Sequence, residues 1–169
     1  MTTTITGATG VNQITDDAIT AAKLPAGSVL QVVSTTYATN TQTTSTTKIP
    51  VGSACSITPS ATTSKILVSI SGVVRWGSND CGFVSIFKDV AGAGYVELET
   101  FSRHTNYQDH STGNSSQGQH ITLTYLDSPN TTNVVNYKMG ISSWGGTAQW
   151  LPNNANGDRC VIILQEIAG

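Results

Sequence analysis

From Val29 onward, apolar residues alternate with polar ones or gather in short runs bounded by turn residues, which is the pattern of strands. Val29–Thr36 is the first predicted strand. The Thr-rich stretch from Tyr37 to Lys48 is polar enough to be an exposed loop or an edge strand. Ala54–Ile57 is short and stops at the turn signal Thr58-Pro59-Ser60. Lys65–Arg75 is long, with Ile66, Val68 and Ile70 on one face. Gly82–Asp89 carries apolar residues on both faces, and Ala91-Gly92-Ala93-Gly94 links it tightly to Tyr95–Phe101. In His120–Asp127 the inward residues are Ile121, Leu123 and Tyr125. Val134–Ser142 presents Val135, Tyr137, Met139 and Ile141 on one face, and Arg159–Ile167 closes the chain. Eight strands separated by turn signals predict an all-β fold, a jelly-roll-type β-sandwich occupying residues 29–169 as one domain.

Three segments depart from this rhythm. Ser102–Gly118 and Trp144–Asp158 are polar tracts that predict long surface loops, a common seat of function. Residues 1–28 carry only sparse apolar side chains: Ile5, Val11, Ile14, Ile19 and Leu24. The last three recur every five residues, which suits neither helix nor strand. Asp16-Asp17 followed by Ala18–Lys23 predicts one or two helical turns, too short to stand alone. This is an extended N-terminal attachment arm that takes its structure from whatever it lies on, and Pro25-Ala26-Gly27 ends it.

The final strand adds a further expectation. Val161, Ile162, Ile163 and Leu164 are apolar on both faces, so one face meets the core and the other needs a cover. A subunit interface of a homo-oligomer supplies that cover.

Composition sharpens the picture. Charged residues are 11% of the chain against about 25% in ordinary domains, while 38% is hydrophobic. Thr and Ser, about a quarter of the chain, replace charge with neutral hydroxyls. A net charge of −2 with singly scattered Lys and Arg leaves no footprint for nucleic acid. No apolar run is long enough for a membrane helix, and Met1–Gly7 lacks the features of a signal peptide. The expectation is synthesis in a cytosol without standard secretion, and no membrane insertion.

Three segments together, Leu24–Val33, Ser56–Val68 and Ile163–Gly169, resemble a module in structural proteins of tailed bacteriophages, particularly those infecting cyanobacteria and other aquatic bacteria. The resemblance spans Leu24 to Gly169 and includes no catalytic motif. It implies a trimeric jelly-roll knob displayed on the virion and carried by an N-terminal arm. Tail fibres of this kind have a shaft between anchor and knob, and this chain has no shaft repeat. The expectation is therefore a homotrimeric capsid decoration or cement protein, partnered by itself and by the major capsid protein. The alternative is the receptor-binding knob of a tail fibre or spike, partnered by a tail protein and a host surface glycan.

Candidate chemistry is sparse. G-x-S-x-G, phosphate-binding glycine loops and H-E-x-x-H are all missing, so no enzymatic activity and no cofactor are expected. Asp80, Asp109 and Asp158 are the carboxylates a glycosidase would draw on, with solvated loop acids as the plain alternative. His104, His110 and His120 lack a ligand spacing, and no metal is expected. Cys55, Cys81 and Cys160 are widely spaced and odd in number, which suits free thiols, with a single pair left open. Trp76, Trp144 and Trp150, with Tyr107 and Asn79, are candidate glycan-binding residues, since sugars stack on rings and bond to amides. The competing assignment is that these rings plug the ends of the sandwich, where they bury much area.

Overall fold

In a computed structural model, residues 23–77, 80–105, 118–151 and 157–169 are described. The strands are β1 (Val29–Tyr37), β2 (Thr41–Thr43), β3 (Ile49–Ile57), β4 (Lys65–Trp76), β5 (Cys81–Val90), β6 (Val96–Thr105), β7 (Gly118–Asp127), β8 (Val135–Ile141), β9 (Ala148–Trp150) and β10 (Cys160–Ile167). Eight are long, and the two short ones lie within connections. Of the expected arm, Ile5, Val11, Ile14, Ile19 and the helical turn up to residue 22 lie outside the described residues. Leu24 lies within them and is exposed.

The long strands form two antiparallel sheets. The first sets β1, β10, β4 and β7 side by side, and the second sets β3, β8, β5 and β6 side by side. Four pairings explain the path: β1 with β10, β3 with β8, β4 with β7, and β5 with β6. First long strand meets last, second meets seventh, third meets sixth, fourth meets fifth. A single long hairpin wound around a barrel axis produces this order, and the winding is the jelly roll. Past the end of β10, β9 takes its place beside β4, pairing Val74 with Trp150 and Trp76 with Ala148, and β2 pairs with β9 in turn.

Alternation along the strands explains the packing. In β4, Ile66, Val68, Ile70, Val74 and Trp76 all point into the sandwich. From the opposite sheet come Val51, Cys55, Val84, Ile86, Val135, Tyr137, Met139 and Ile141. At the rim of this core, Lys88 Nζ lies 3.0 Å from both oxygens of Asp127, and the Tyr137 hydroxyl donates to the same carboxylate at 2.7 Å. Burial first, then this bond and the Asp127 charge, push the Tyr137 phenol far above its ordinary range.

The same alternation corrects the reading of β10. Ile162 and Leu164 face inward and are fully buried in the core of their own chain. They are not available to a subunit interface. Only Val161 and Ile163 look outward, because a strand in a two-sheet sandwich cannot bury both faces within one chain. Around them on that outer face are Val32, Leu67 and Leu126, interspersed with Ser69, Ser71, Thr122 and Thr124.

The winding sorts the connections between two ends. At one end lie residues 58–64, 91–95 and 128–134 together with both flanks of the fold. There the Gly27 amide donates to the Ala168 carbonyl at 2.8 Å, and the Ala168 amide donates to Ser28. Glu166 locks this end. Its carboxylate, almost wholly buried, accepts from the Ser60 amide, the Ser60 hydroxyl and the Gln31 side chain. The opposite end gathers residues 38–48, Gly77, Asp80, 142–151 and 157–159, and there the chain also leaves β6 at Thr105 and enters β7 at Gly118.

Candidate functional site

The end opposite the N-terminal flank is assembled around Asp80. This carboxylate is buried between the β4–β5 connection and the segment after β8. Oδ1 accepts from the amides of Cys81 at 2.8 Å, Trp144 at 3.1 Å and Gly145 at 3.1 Å. Oδ2 accepts from the Ser143 hydroxyl at 2.6 Å, and Ser143 Oγ in turn accepts from the Gly146 amide. Several neutral donors to one buried carboxylate make a stiff bracket, since each bond is charge-assisted.

Neighbouring contacts extend the bracket. The Ser142 hydroxyl accepts from the Phe83 amide, and the Ser142 carbonyl accepts from the Trp76 indole at 3.0 Å. Gly82 makes room for that indole, because a Cβ there would run into the Ser142 backbone and the Trp76 ring nitrogen. Ser143 N–H donates to Ser45, whose own hydroxyl closes a small turn with Thr47. The outcome is a loop held from both sheets that leaves Trp144 62% exposed.

Beside Trp144 runs a groove of about 260 Å³, lined by Thr46, Gly82, Phe83, Ser142, Ser143 and Trp144. A second, more polar hollow of about 360 Å³ is lined by Gln42, Thr43, Thr44 and Thr147. Lys48 forms an ion pair with Glu97 at 2.6 Å and lies 5.7 Å from the Phe83 ring centre. The Asp80 carboxylate and the hydroxyls of Ser45, Ser142 and Ser143 are committed to holding the backbone. What the arrangement offers a ligand is a fixed ring beside a small neutral groove.

The expected glycan residues part company here. Trp76 and Trp150 are core, at 2% and 0% exposure, and neither presents a face to a sugar. Trp150 lies across Gly72, where a Cβ would strike its ring, and its indole donates to the Tyr37 hydroxyl. Burial chiefly, with the neighbouring Cys160, raises the Tyr37 phenol far above its ordinary value. Burial likewise pushes the Cys160 thiol up to about 11, against a hydrogen bond from Tyr37. That thiol is therefore protonated and unreactive at neutral pH. All three cysteines are buried and free. Asn79 and Tyr107 lie outside the described residues, which leaves Trp144 as the expected residue found at a surface.

Among the other candidates, Asp80 is the bracket just described, and Asp109 and His110 lie outside the described residues. His104 falls on β6, while His120 is exposed on β7 with its Nε2 3.2 Å from the Ser71 hydroxyl. Among the described residues no three of His, Cys, Asp or Glu come together as a metal cluster. No helix among them is long and apolar enough to cross a membrane. Sequence reasoning missed Asp80 as an organiser, because its donors come from residues 81 and 143–145 and nothing local marks them.

No protein-family model matches the chain, and no curated protein matches it in sequence. Among solved structures, it is similar to that of infectious bursal disease virus Gx strain, with a TM-score of 0.42 and 15% identity over 82% of this chain and 32% of that one. For the Gt strain the TM-score is 0.38 with 14% identity, covering 82% of this chain and 38% of the other. A mutant VP2 protein of the same virus, in derived T=1 particles, gives 0.39 and 12% identity over 84% and 37%. The chain thus spans about a third of the length of those proteins. The jelly-roll assignment rests on this chain's own strand order.

Proposed function

We propose that the chain is a virion structural protein, a homotrimeric knob that decorates and stabilises a phage capsid through the arm of residues 1–28. The observation that carries this reading is the polarity of the roll. The N-terminal flank leaves the fold beside the C-terminus, at Gly27 and Ala168, and the Asp80 bracket with its exposed Trp144 stands at the far end. A knob standing on its arm presents that far end outward. The neutral, hydroxyl-rich composition suits a displayed surface, and the chain's resemblance to phage knob modules points the same way. Three arms on one trimer turn weak individual contacts into firm attachment through effective concentration. The arm's sparse apolar residues find grooves to fill only on an assembled shell, which makes attachment wait for assembly. No catalytic step or cofactor is part of this proposal.

Self-association would use the outer face of the first sheet around Val161 and Ile163. Light scattering on the purified chain is expected to return three times the chain mass, and a monomer would count against the trimer.

The attachment test is deletion of residues 1–24. The buried cluster among the described residues runs from Tyr37 to Leu164, so the shortened chain should fold. It is expected to lose binding to empty capsids of its phage while keeping its melting temperature. Retained binding overturns the arm's role.

A further inference from the structure

We propose that the groove beside Trp144 is a binding site for a neutral sugar ring, which stacks on the exposed indole. The inference concerns the far end alone and does not depend on how the arm attaches.

Three observations carry it. The first is the mismatch between exposure and rigidity at Trp144. A large aromatic ring left 62% exposed forgoes burial, yet its backbone is among the most tightly held in the fold. The Trp144 amide meets both the Cys81 carbonyl at 2.7 Å and Asp80, and both its neighbours, Ser143 and Gly145, also bond to Asp80. A ring displayed on a stiff backbone mount has only its two side-chain torsions left to order on binding, which suits a stacking platform. The electron-rich face of an indole suits the C–H face of a pyranose.

Size and charge come next. The groove, about 260 Å³, falls below the usual range for drug-sized ligands and suits one ring. None of its six lining residues is charged. The nearby Lys48 is already paired with Glu97, and the Asp80 charge is met by four donors behind the loop. An anionic sugar gains nothing from such a surface, whereas an uncharged one loses nothing by entering it.

The third observation is the second hollow. Its Gln42, Thr43, Thr44 and Thr147 side chains supply amide and hydroxyl groups, and it lies on two of the three chain segments that line the groove. One apolar and one polar hollow on adjoining chain segments favour an oligosaccharide over a single ring. The chemical class is thus a neutral hexose oligosaccharide.

The test is titration of the full chain, in the absence of particles, with maltotriose, cellotriose, mannotriose and sialyllactose. Binding is followed by calorimetry and by indole fluorescence; Trp76 and Trp150 are buried, so the exposed Trp144 dominates any ligand-induced change. At least one neutral trisaccharide is expected to bind saturably at millimolar concentration or better. Trp144→Ala should weaken it about tenfold or more, and Trp144→Phe should keep most of the affinity. Both variants should melt like the parent because the ring is exposed. No saturable binding by any neutral trisaccharide, a preference for sialyllactose, or equal affinity in Trp144→Ala each overturns the proposal. Particle attachment plays no part in the readout, so failure here leaves the decoration reading standing.

Discussion

At Glu166 a carboxylate sits in the wall of the sandwich with its charge met by neutral donors. Burial alone would raise its pKa, but hydrogen bonds from Ser60 and Gln31 outweigh that and hold it below the ordinary 4.5. A group depressed in the folded state stabilises the fold above its unfolded value, and the gain fades as pH falls through the folded one. Replacing Glu166 by Gln removes the charge and turns an amide donor toward either Ser60 or Gln31. The expected loss at pH 7 is about 1–3 kcal/mol. In urea melts, the gap between parent and Glu166→Gln should narrow as pH drops below about 4.5. A gap of constant size would contradict the assignment. At this scale the sequence is only partly legible. Trp76 looks like a loop residue beside Gly77 and Ser78, yet it shares the parity of Ile66, Val68, Ile70 and Val74, which marks it as core. Glu166 misleads in the other direction: a carboxylate at an inward position resembles a solvent-facing one until its donors are known. Those donors lie on β1 and on the connection before β4, distant in sequence.

Whole strands were easier to read than residues. Each of the eight long strands overlaps an alternating or apolar segment, because period-2 patterning follows directly from the pleat, although β6 runs on to Thr105, into the tract that reads as a loop. The short β2 lies in the Thr-rich stretch that reads as a loop or an edge strand, and β9 in a tract that reads as a loop, since Thr41–Thr43 and Ala148–Trp150 are strands only by pairing with each other and with the end of β4. The start of β3 was hidden by Gly52 and by the irregular register between Val51 and Cys55. Strand β10 offers the cleanest test, because adjacent isoleucines there have opposite fates. Ile162→Ala opens a hole in the core and should cost about 2–5 kcal/mol. Ile163→Thr keeps a β-branched side chain on the outer face and should cost about 0.5 kcal/mol or less in the isolated chain. Under the proposed trimer, the second variant shifts light scattering toward the monomer. Equal destabilisation by both variants would deny the inward and outward assignment.

At the scale of the whole molecule, the winding makes the two flanks of the chain unequal although they emerge side by side. Strand β10 lies between β1 and β4 along nearly its full length, and it contributes Cys160, Ile162, Leu164 and Glu166 to the interior. Removing residues 160–169 would expose the inner edges of both neighbours and strip β1 of the partner that joins it to the sheet. Among the described residues, those before Val29 carry no strand of the sandwich, and the seam between the flanks begins at Gly27. Two truncations therefore have opposite expected outcomes. The chain lacking residues 1–24 should show a single cooperative thermal transition, within a few degrees of the parent. The chain lacking residues 160–169 should show none and should bind hydrophobic dyes, because β1 then has no partner to close on and the core loses Ile162 and Leu164. This asymmetry also bears on folding order. Closure of β1 on β10 joins the two most distant strands and has the largest loop-closure cost, so topology of this kind folds in milliseconds to seconds. Under the proposed attachment, docking follows once the knob has formed. A cooperative transition in the C-terminal truncation would mean that the sandwich closes without its last strand, and the pairing order described for the roll would have to be wrong.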